Sequence, residues 1–170
     1  MSEYLKQELE SAFSDIRVSI PEEGKFIVTT RKDAVSPILS LLKDKGYEHL
    51  ALISCIDWLE EKEFELVYIL SAYMKKDDEY TDKEKTSIIV RVRISREDPR
   101  LPTVIPIFKN AEPYERELHE LYGIDFEGHP RLTPLFLERE YKIPPFRKDF
   151  DTREYVKEIF DKIPFVEEEK

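Results

Sequence analysis

The sequence predicts an α+β domain with a mixed β-sheet packed against helices, followed by an extended C-terminal arm. Helix-spaced apolar residues occur at the start and again after a hairpin-like pattern, and three long strand-like runs follow. From about residue 132 onward, prolines interrupt the chain, and no regular period returns until a short helix near residues 153–162. We therefore expect a globular domain over residues 1–131 and an arm over residues 132–170.

The first part of the chain indicates a helix, a hairpin and a second helix. One apolar face marks the opening helix and consists of Tyr4, Leu5, Leu9, Ala12 and Phe13. Residues 16–20 alternate as a short strand, and residues 26–30 return as its partner after a turn that contains Gly24. The second helix is predicted from about Asp33 to Lys45 and ends at a glycine.

Three longer strands are predicted next. Residues 50–59 are nearly all apolar, which is typical of a strand at the centre of a sheet. Residues 64–73 form the following strand, and residues 88–94 alternate between apolar and more polar positions, which indicates one buried face. The charged segment 75–85 between them is predicted to be a solvated hairpin loop.

A short apolar helix is predicted over residues 103–108, and a charged helix follows over residues 114–122. Gly123 is placed to end the charged helix. Its apolar side carries Tyr114, Leu118, Leu121 and Tyr122. Its opposite side carries Arg116, His119 and Glu120, with Glu115 and Glu117 on the flanks.

The composition argues against several classes of function. A net charge of −10 and a pI near 5.0 argue against nucleic acid or an anionic lipid surface as the main partner. Cys55 is the only cysteine, and one thiolate cannot hold an iron–sulfur cluster. No apolar run approaches the roughly 18 residues that span a bilayer, and no signal peptide is visible. We expect a cytoplasmic chain, and its many charges with few amides favour a thermophilic source.

The charged helix allows three interpretations. Its polar side is an ordinary solvated surface, or Arg116 acts as a planar donor between acids and forms an ionic latch at an interface. A third interpretation makes the acids and His119 a catalytic group, but Glu115 and Glu117 lie about 200° apart around the helix. No nucleophile motif, phosphate-binding loop or dinucleotide fingerprint accompanies them.

Two further motifs lie beyond the charged helix. His129 stands between Gly128 and Pro130, a turn in which a histidine more often bonds a backbone carbonyl than a metal. Arg147, Lys148 and Asp149 lie between Phe146 and Phe150. Those three charges are either solvated, or the flanking aromatic rings anchor them on the surface of a partner.

These motifs together resemble a known family. The blocks Glu115-Arg116-Glu117, residues 120–124 and residues 126–130 closely resemble the C subunit (30-kilodalton class) of respiratory complex I. Related subunits occur in membrane-bound energy-converting [NiFe] hydrogenases and sulfur reductases. The resemblance covers about residues 45–150. His119 stands where the family commonly has an aromatic residue, and such departures favour an archaeal hydrogenase-type or sulfur-reductase relative.

The resemblance implies a subunit that has no cofactor and performs no chemistry of its own. It would pack against the large hydrogenase-like (D-type) subunit, near a small iron–sulfur subunit, and join membrane-embedded subunits only through the complex. Iron–sulfur clusters, and a NiFe centre in a hydrogenase, would belong to those partners. The motif positions that would fix the turn and the interface are Glu115, Arg116, Glu117, Gly128, His129, Pro130, Arg147, Lys148 and Asp149.

Besides a generic adaptor with no respiratory link, two alternatives remain open from the sequence. One is the C subunit of an NADH/quinone oxidoreductase, which would place the chain in a different complex of the same kind. The other belongs to a different class of function, a standalone enzyme that uses the acidic helix together with His119 or His129.

Overall fold

Five strands form one mixed sheet in the computed structural model, which describes residues 2–72, 86–137 and 141–159. The strands are β1 (Arg17–Glu22), β2 (Lys25–Thr30), β3 (His49–Trp58), β4 (Glu63–Ser71) and β5 (Ser87–Ser95). They lie in the order β1-β2-β5-β4-β3, and only the β2–β5 pair is parallel. The predicted α+β class with a mixed sheet is confirmed. The loop predicted over 75–85 lies outside the described residues.

Helices cover one face of this sheet. They are α1 (Ser2–Ala12), α2 (Val35–Asp44), which a short 3₁₀ turn (Lys32–Ala34) precedes, and α3 (Ala111–Tyr122). Leu9 of α1 and Ile38 of α2 are fully buried in the same core as Val28 and Val90 of the sheet. Alternate strand residues therefore point into this core, and the residues between them point to the other face.

The predicted apolar face of the first helix is only partly correct. Leu5 and Leu9 are buried, but Tyr4 is 69% exposed. Successive residues on a helix are separated by about 100°, so Tyr4 is rotated away from the side that Leu5 and Leu9 bury.

The prediction that residues 50–59 form a central strand is wrong, because β3 is an edge strand. Its apolar residues face two different environments. Ile53 is buried in the core, whereas Leu52 on the other face is 39% exposed. Side chains of the α3 region bind two outer carbonyls of this edge: Asn110 Nδ2 donates to the Leu50 carbonyl (2.8 Å) and the Tyr114 hydroxyl to the Ala51 carbonyl (2.9 Å). Because side chains satisfy these two carbonyls, this part of the edge needs no further strand to bind them.

The helix predicted over residues 103–108 is also wrong, because this segment forms turns. Pro106 has no N–H to donate, and the N–H groups of Val104 and Ile105 bind the side chains of Glu115 and Thr103 instead. The segment joins a short strand, β6 (Arg100–Pro102), to α3, and β6 pairs in parallel with β7 (Asp125–Glu127).

The terminal helix, α4, extends over Thr152–Ile159, and the remainder of the predicted helix lies outside the described residues. The Asp151 carboxylate caps its start by accepting the backbone N–H groups of Arg153 (2.8 Å) and Glu154 (3.1 Å). The rings of Tyr141 and Phe150 contact that of Tyr155 at centroid distances of 4.8 and 5.5 Å, so α4 packs on the preceding arm.

One buried hydroxyl in the core generates a prediction about stability. Tyr68 is fully buried, and within the described residues its hydroxyl has no hydrogen-bond partner. Tyr68→Phe should therefore raise the free energy of unfolding by about 1 kcal/mol, measured by urea denaturation, because an unpaired polar atom leaves the core. Tyr47→Phe is the control and should lower the same quantity, because the buried Tyr47 hydroxyl bonds Thr86. A loss of stability in Tyr68→Phe would contradict the prediction.

Candidate partner-binding site

Helix α3 ends at Gly123, whose backbone conformation suits glycine for two reasons. Its φ angle is +74°, in the left-handed region that closes helices. A Cβ at this position would also lie 3.0 Å from Arg147 Nη2 and 3.0 Å from the Pro144 ring. The helix end is thus shaped so that residues 144–147 of the arm can lie directly against it.

Glu115 is fully buried under the loop that precedes α3. Its carboxylate accepts the Thr103 hydroxyl (2.6 Å) and the Val104 N–H (2.7 Å). Burial raises the pKa of Glu115 to about 7, although these two hydrogen bonds oppose the shift. The interpretation of the charged side as an ordinary solvated surface does not hold for Glu115, which fixes the loop to the helix.

Arg116 binds the arm of its own chain. Its Nε donates to the Thr133 carbonyl (3.1 Å) and its Nη2 to the Pro134 carbonyl (2.9 Å). One acid lies close, because Nη1 is 3.4 Å from the Glu112 carboxylate one turn earlier. The latch predicted between acids is therefore an internal clamp on the start of the arm, formed mostly with carbonyl groups.

Glu120 binds the next part of the arm. Its carboxylate accepts the successive backbone N–H groups of residues 135–137, with distances of 3.1 Å to Leu135 and 3.0 Å to Phe136 for the same oxygen. Charge-assisted hydrogen bonds of this kind are roughly twice as strong as neutral ones. Together with Arg116, Glu120 fixes residues 133–137 along the polar side of α3.

The second attachment lies at the C-terminal end of α3. Arg147 Nε donates to the Tyr122 carbonyl (2.7 Å), and the Phe146 N–H donates to the Leu121 carbonyl (3.0 Å). The Arg147 guanidinium also lies over the Phe64 ring, 5.2 Å from its centroid. Burial lowers the pKa of Arg147, but the group remains cationic at neutral pH. The arm thus satisfies carbonyls that the helix end leaves free.

Asp57 and Arg96 form a buried charged pair that holds the third attachment. Arg96 Nε is 2.8 Å from Asp57 Oδ1, a close ion pair that is poorly aligned as a hydrogen bond, and its Nη2 is 2.7 Å from Asp149. Asp57 also accepts the Lys148 N–H (2.8 Å). The hydrogen bond from Arg96 lowers the pKa of Asp149. The sequence pattern does not single out Asp57 or Arg96, nor the role of Glu120, although an aspartate at the end of an apolar strand is a usable signal.

His129 has the structural role that its turn predicts. Its Nδ1 accepts the Arg131 N–H (3.0 Å), so its Nε2 carries the proton and faces the Glu112 carbonyl at 3.4 Å. Gly128 before it has a φ angle of +84°. Pro130 after it is exposed. Among the described residues, no histidine, cysteine or acidic side chains are grouped to hold a metal ion.

The predicted site residues outside the His129 turn differ in their contacts. Glu115, Arg116, Arg147 and Asp149 bind backbone or charged groups of their own chain, whereas the Lys148 side chain is exposed. The half-exposed Glu117 has no hydrogen-bond or ion-pair partner in the part of the chain that the structure describes. Cys55 is buried, and burial raises the pKa of its thiol to about 12, in agreement with its predicted place in the core.

Apolar side chains of the arm point outward. Phe136 is 68% exposed, Phe146 57% and Ile143 42%. The backbone beside each of the two phenylalanines is hydrogen-bonded to α3, so these side chains are presented from a fixed chain. Large apolar groups held at a surface in this way are typical of a protein–protein interface.

The sequence matches a known protein family. Residues 28–156 match the family described as respiratory-chain NADH dehydrogenase, 30 Kd subunit. The chain belongs to this family. The matched range includes the whole of α3 and every attachment of the arm described above. The chain is thus a C-type subunit of a complex-I-like oxidoreductase complex.

Relatives within the family act in complexes with different electron donors. The chain is 30% identical to the C subunit of the NADH-quinone oxidoreductase of Neorickettsia sennetsu over 149 residues, which cover 87% of this chain and 75% of that relative. It is 32% identical to the C subunit of the F(420)H(2) dehydrogenase of Methanosarcina mazei over 122 residues, covering 71% and 72%.

Solved structures share the fold. A chain of the membrane-bound sulfane sulfur reductase, an archaeal respiratory membrane complex, superposes with a TM-score of 0.81 at 26% identity, covering 99% of this chain and 96% of that one. A trypsin-resistant fragment of Nqo5 superposes with a TM-score of 0.62 at 29% identity, covering 77% and 98%. Within the ranges described for the present chain, no helix is long and apolar enough to cross a bilayer.

The buried Glu115 predicts a pH dependence of stability. Its folded pKa of about 7 lies above its ordinary value of 4.5, so the unfolded carboxyl ionises first as the pH rises. Between these values the free energy of unfolding should fall by on the order of 3 kcal/mol from this group. Glu115→Gln keeps the shape and should remove that decrease, measured by urea denaturation at several pH values. Glu117→Gln on the same helix should leave it in place. Parallel curves for wild type and Glu115→Gln would contradict the prediction.

Glu120 predicts a local effect on the arm. Glu120→Ala removes the acceptor for three consecutive N–H groups, so amide hydrogen exchange at residues 135–137 should become about tenfold faster or more. Exchange should be followed residue by residue by NMR, with the core amides of β4 as an internal reference. Glu117→Ala, one turn away, is the matched control and should leave these amides protected. Unchanged exchange in Glu120→Ala would mean that other contacts hold this segment.

Proposed function

We propose that this chain is a non-catalytic scaffold subunit of the peripheral arm of a membrane-bound, complex-I-like oxidoreductase. Its role is to bind the large hydrogenase-like subunit with residues 132–150, beside a small iron–sulfur subunit. The observation that carries this proposal is the arrangement of the arm. Polar contacts fix its backbone on the domain, while Phe136, Ile143 and Phe146 face outward.

The fixed backbone makes the arm a prepared binding surface. A flexible segment loses conformational entropy when a partner orders it, whereas a segment already held in place loses less. Arg116, Glu120 and the Asp57–Arg96 pair order the arm within its own chain. The exposed aromatic side chains then act as anchors for pockets of the partner.

The variety of the relatives supports a scaffold role over a catalytic one. Their names refer to NADH, to F(420)H(2) and to sulfane sulfur, yet chains of this family occur in each complex. Chemistry that differs between complexes belongs to subunits that differ. In this chain, the acidic residues predicted for an enzyme bond their own backbone, as Glu115 and Glu120 do. We therefore place iron–sulfur clusters, and a NiFe centre in a hydrogenase, in partner subunits.

Among complexes of this kind, we favour an archaeal membrane-bound hydrogenase or sulfur reductase. The similarity to the sulfane sulfur reductase chain extends over nearly the full length of both chains and includes the arm region. The second candidate is the C subunit of an NADH/quinone oxidoreductase, which the relative from Neorickettsia sennetsu favours. In both cases the chain would lie on the cytoplasmic face of the membrane and be attached there through its partners. Its net charge of −10 does not favour nucleic acid as a partner.

Phe136 provides the test of this proposal. Phe136→Ala should raise the Kd for the co-expressed large subunit about 30-fold, because an aromatic anchor leaves the centre of the interface. The Kd should be measured by titration of the purified chain, and its thermal midpoint should stay unchanged.

The matched control is Tyr4→Ala. Tyr4 is 69% exposed, almost the same as Phe136 at 68%, but lies on α1 rather than on the arm. Equal affinity of the Phe136→Ala and wild-type chains for the large subunit would refute the arm as the binding surface. Turnover of any substrate by the purified chain alone would refute the non-catalytic role.

A further inference from the structure

The second face of the five-stranded sheet carries its own surface, separate from the arm. Helices α1, α2 and α3 pack on the face that includes Val28, Val90 and Tyr68. The arm is attached to α3 and to Asp57, and both of these lie on that same side of the sheet. The opposite face, defined here as the open face, consists of the alternate residues of the same strands.

An apolar surface crosses the open face from β2 to β3. Cross-strand register places Ile27 beside Ile89, Ile89 beside Ile69, and Ile69 beside Leu52. The surface as a whole consists of Ile27, Ile89, Ile69, Leu52, Val67 and Ile56. Leu52 and Ile56 are each 39% exposed, and the other four are partly exposed. An apolar patch that extends over four strands is larger than the scattered apolar residues of an ordinary surface.

Cationic side chains border this apolar surface. Arg91 and Arg93 lie next to it on β5, and their side chains are 40% and 44% exposed. Both are near Glu65, with N–O distances of 3.7 Å, and the Glu65 carboxylate also accepts Trp58 Nε1–H at 2.8 Å. Arg93 in addition lies over the Trp58 ring, 5.0 Å from its centroid. These contacts hold the arginines in place beside the apolar row.

A basic depression adjoins the same border. It has a volume of about 490 Å³ and is lined by Thr29, Thr30, Arg31, Lys32, Asp33 and Arg93. Apart from the Lys25–Glu22 ion pair at one end of the sheet, the open face carries three cations (Arg17, Arg91, Arg93) against two carboxylates, Glu63 and Glu65. This balance is slightly positive in a chain whose net charge is −10. Arg93 is also paired with Glu63 (3.0 Å), and Arg31 in the depression is paired with Asp33 (3.1 Å) and Asp15 (3.3 Å). The excess of positive charge is therefore carried by Arg17 and Lys32, and these two cations suit an acidic partner.

We propose that the open face binds an amphipathic helix of a neighbouring subunit, whose apolar stripe is flanked by carboxylates. A sheet with one face covered by helices becomes a three-layer unit when another helix packs on its second face. Five strands span roughly 19 Å, which is the length of about 13 helical residues. The helix would lie across the apolar row, with acidic side chains beside Arg17 and, in the depression, beside Lys32. This inference rests on the proposed scaffold role in one respect, because it requires that the chain has neighbouring subunits.

The test uses opposite charges at Leu52 in the full-length chain. Leu52→Glu and Leu52→Lys remove the same apolar contact, but only the glutamate adds repulsion against an acidic helix. Binding to the complex assembled without this subunit should weaken at least tenfold more for Leu52→Glu than for Leu52→Lys. Ile69→Glu and Ile69→Lys form a second pair on the same row. Circular dichroism should verify that each variant is folded.

A photo-crosslinking amino acid at position 52 of the assembled complex identifies the occupant. The expected product joins this residue to a helical, acidic peptide of another subunit. Equal weakening by both charges, or unchanged binding in both, overturns the proposal, as does a crosslink to a second copy of this chain or no crosslink. Phe136→Ala in the same assay separates the two surfaces. If it weakens binding while the Leu52 pair does not, the arm role stands and this proposal fails.

Discussion

Residues 132–137 and 141–151, the parts of the arm that the structure describes before its terminal helix, form neither helix nor strand, so many of their backbone groups need partners elsewhere. Helix α3 and its surroundings provide these partners. Glu120 accepts N–H groups of residues 135–137, Arg116 donates to carbonyls of residues 133 and 134, and the helix end accepts the Phe146 N–H. These contacts replace the hydrogen bonds that the arm would make in a helix or strand. They determine the position of the arm and the direction in which its exposed apolar side chains point.

The arm presents polar groups on its inner side and several apolar side chains on its outer side. Polar groups of the arm face inward to α3 and Asp57, while three of its apolar side chains, Phe136, Ile143 and Phe146, are exposed. The open face of the sheet shows a related arrangement, since Glu65, Trp58 and Arg93 satisfy one another beside an apolar row. In both places the chain meets its polar requirements internally. An incoming partner therefore needs to supply mainly apolar contacts and a few complementary charges, which reduces the cost of desolvation on binding.

Much of the fold follows from short-range pattern. The alternation of residues 88–94 and the spacing of Leu5, Leu9 and Ile38 each indicate the side that is buried. The errors have a common cause in long-range contacts. The apolar residues of β3 suggest a central strand. The sequence does not reveal that α3 covers one face of this edge strand and that its other face remains partly exposed. Likewise, the turns at residues 103–108 depend on a carboxylate from Glu115, eleven residues beyond Val104. Of the site, the sequence indicates Arg116 and Arg147 but not Arg96, whose partners lie far along the chain.

Several of the motif residues that carry the family resemblance bond groups of their own chain. Glu115 fixes a loop, Arg116 and Arg147 fix the arm, and His129 closes a turn with Nδ1 as acceptor. Each of them bonds backbone or side-chain groups of the same chain, so the motif specifies where the arm lies. A motif of this kind can occur in complexes with different electron donors, because the position of a binding arm does not depend on the substrate that the complex oxidises. If the arm is the binding surface, as proposed, the motif sets the shape of this attachment, and the chemistry would belong to the subunits that the arm contacts.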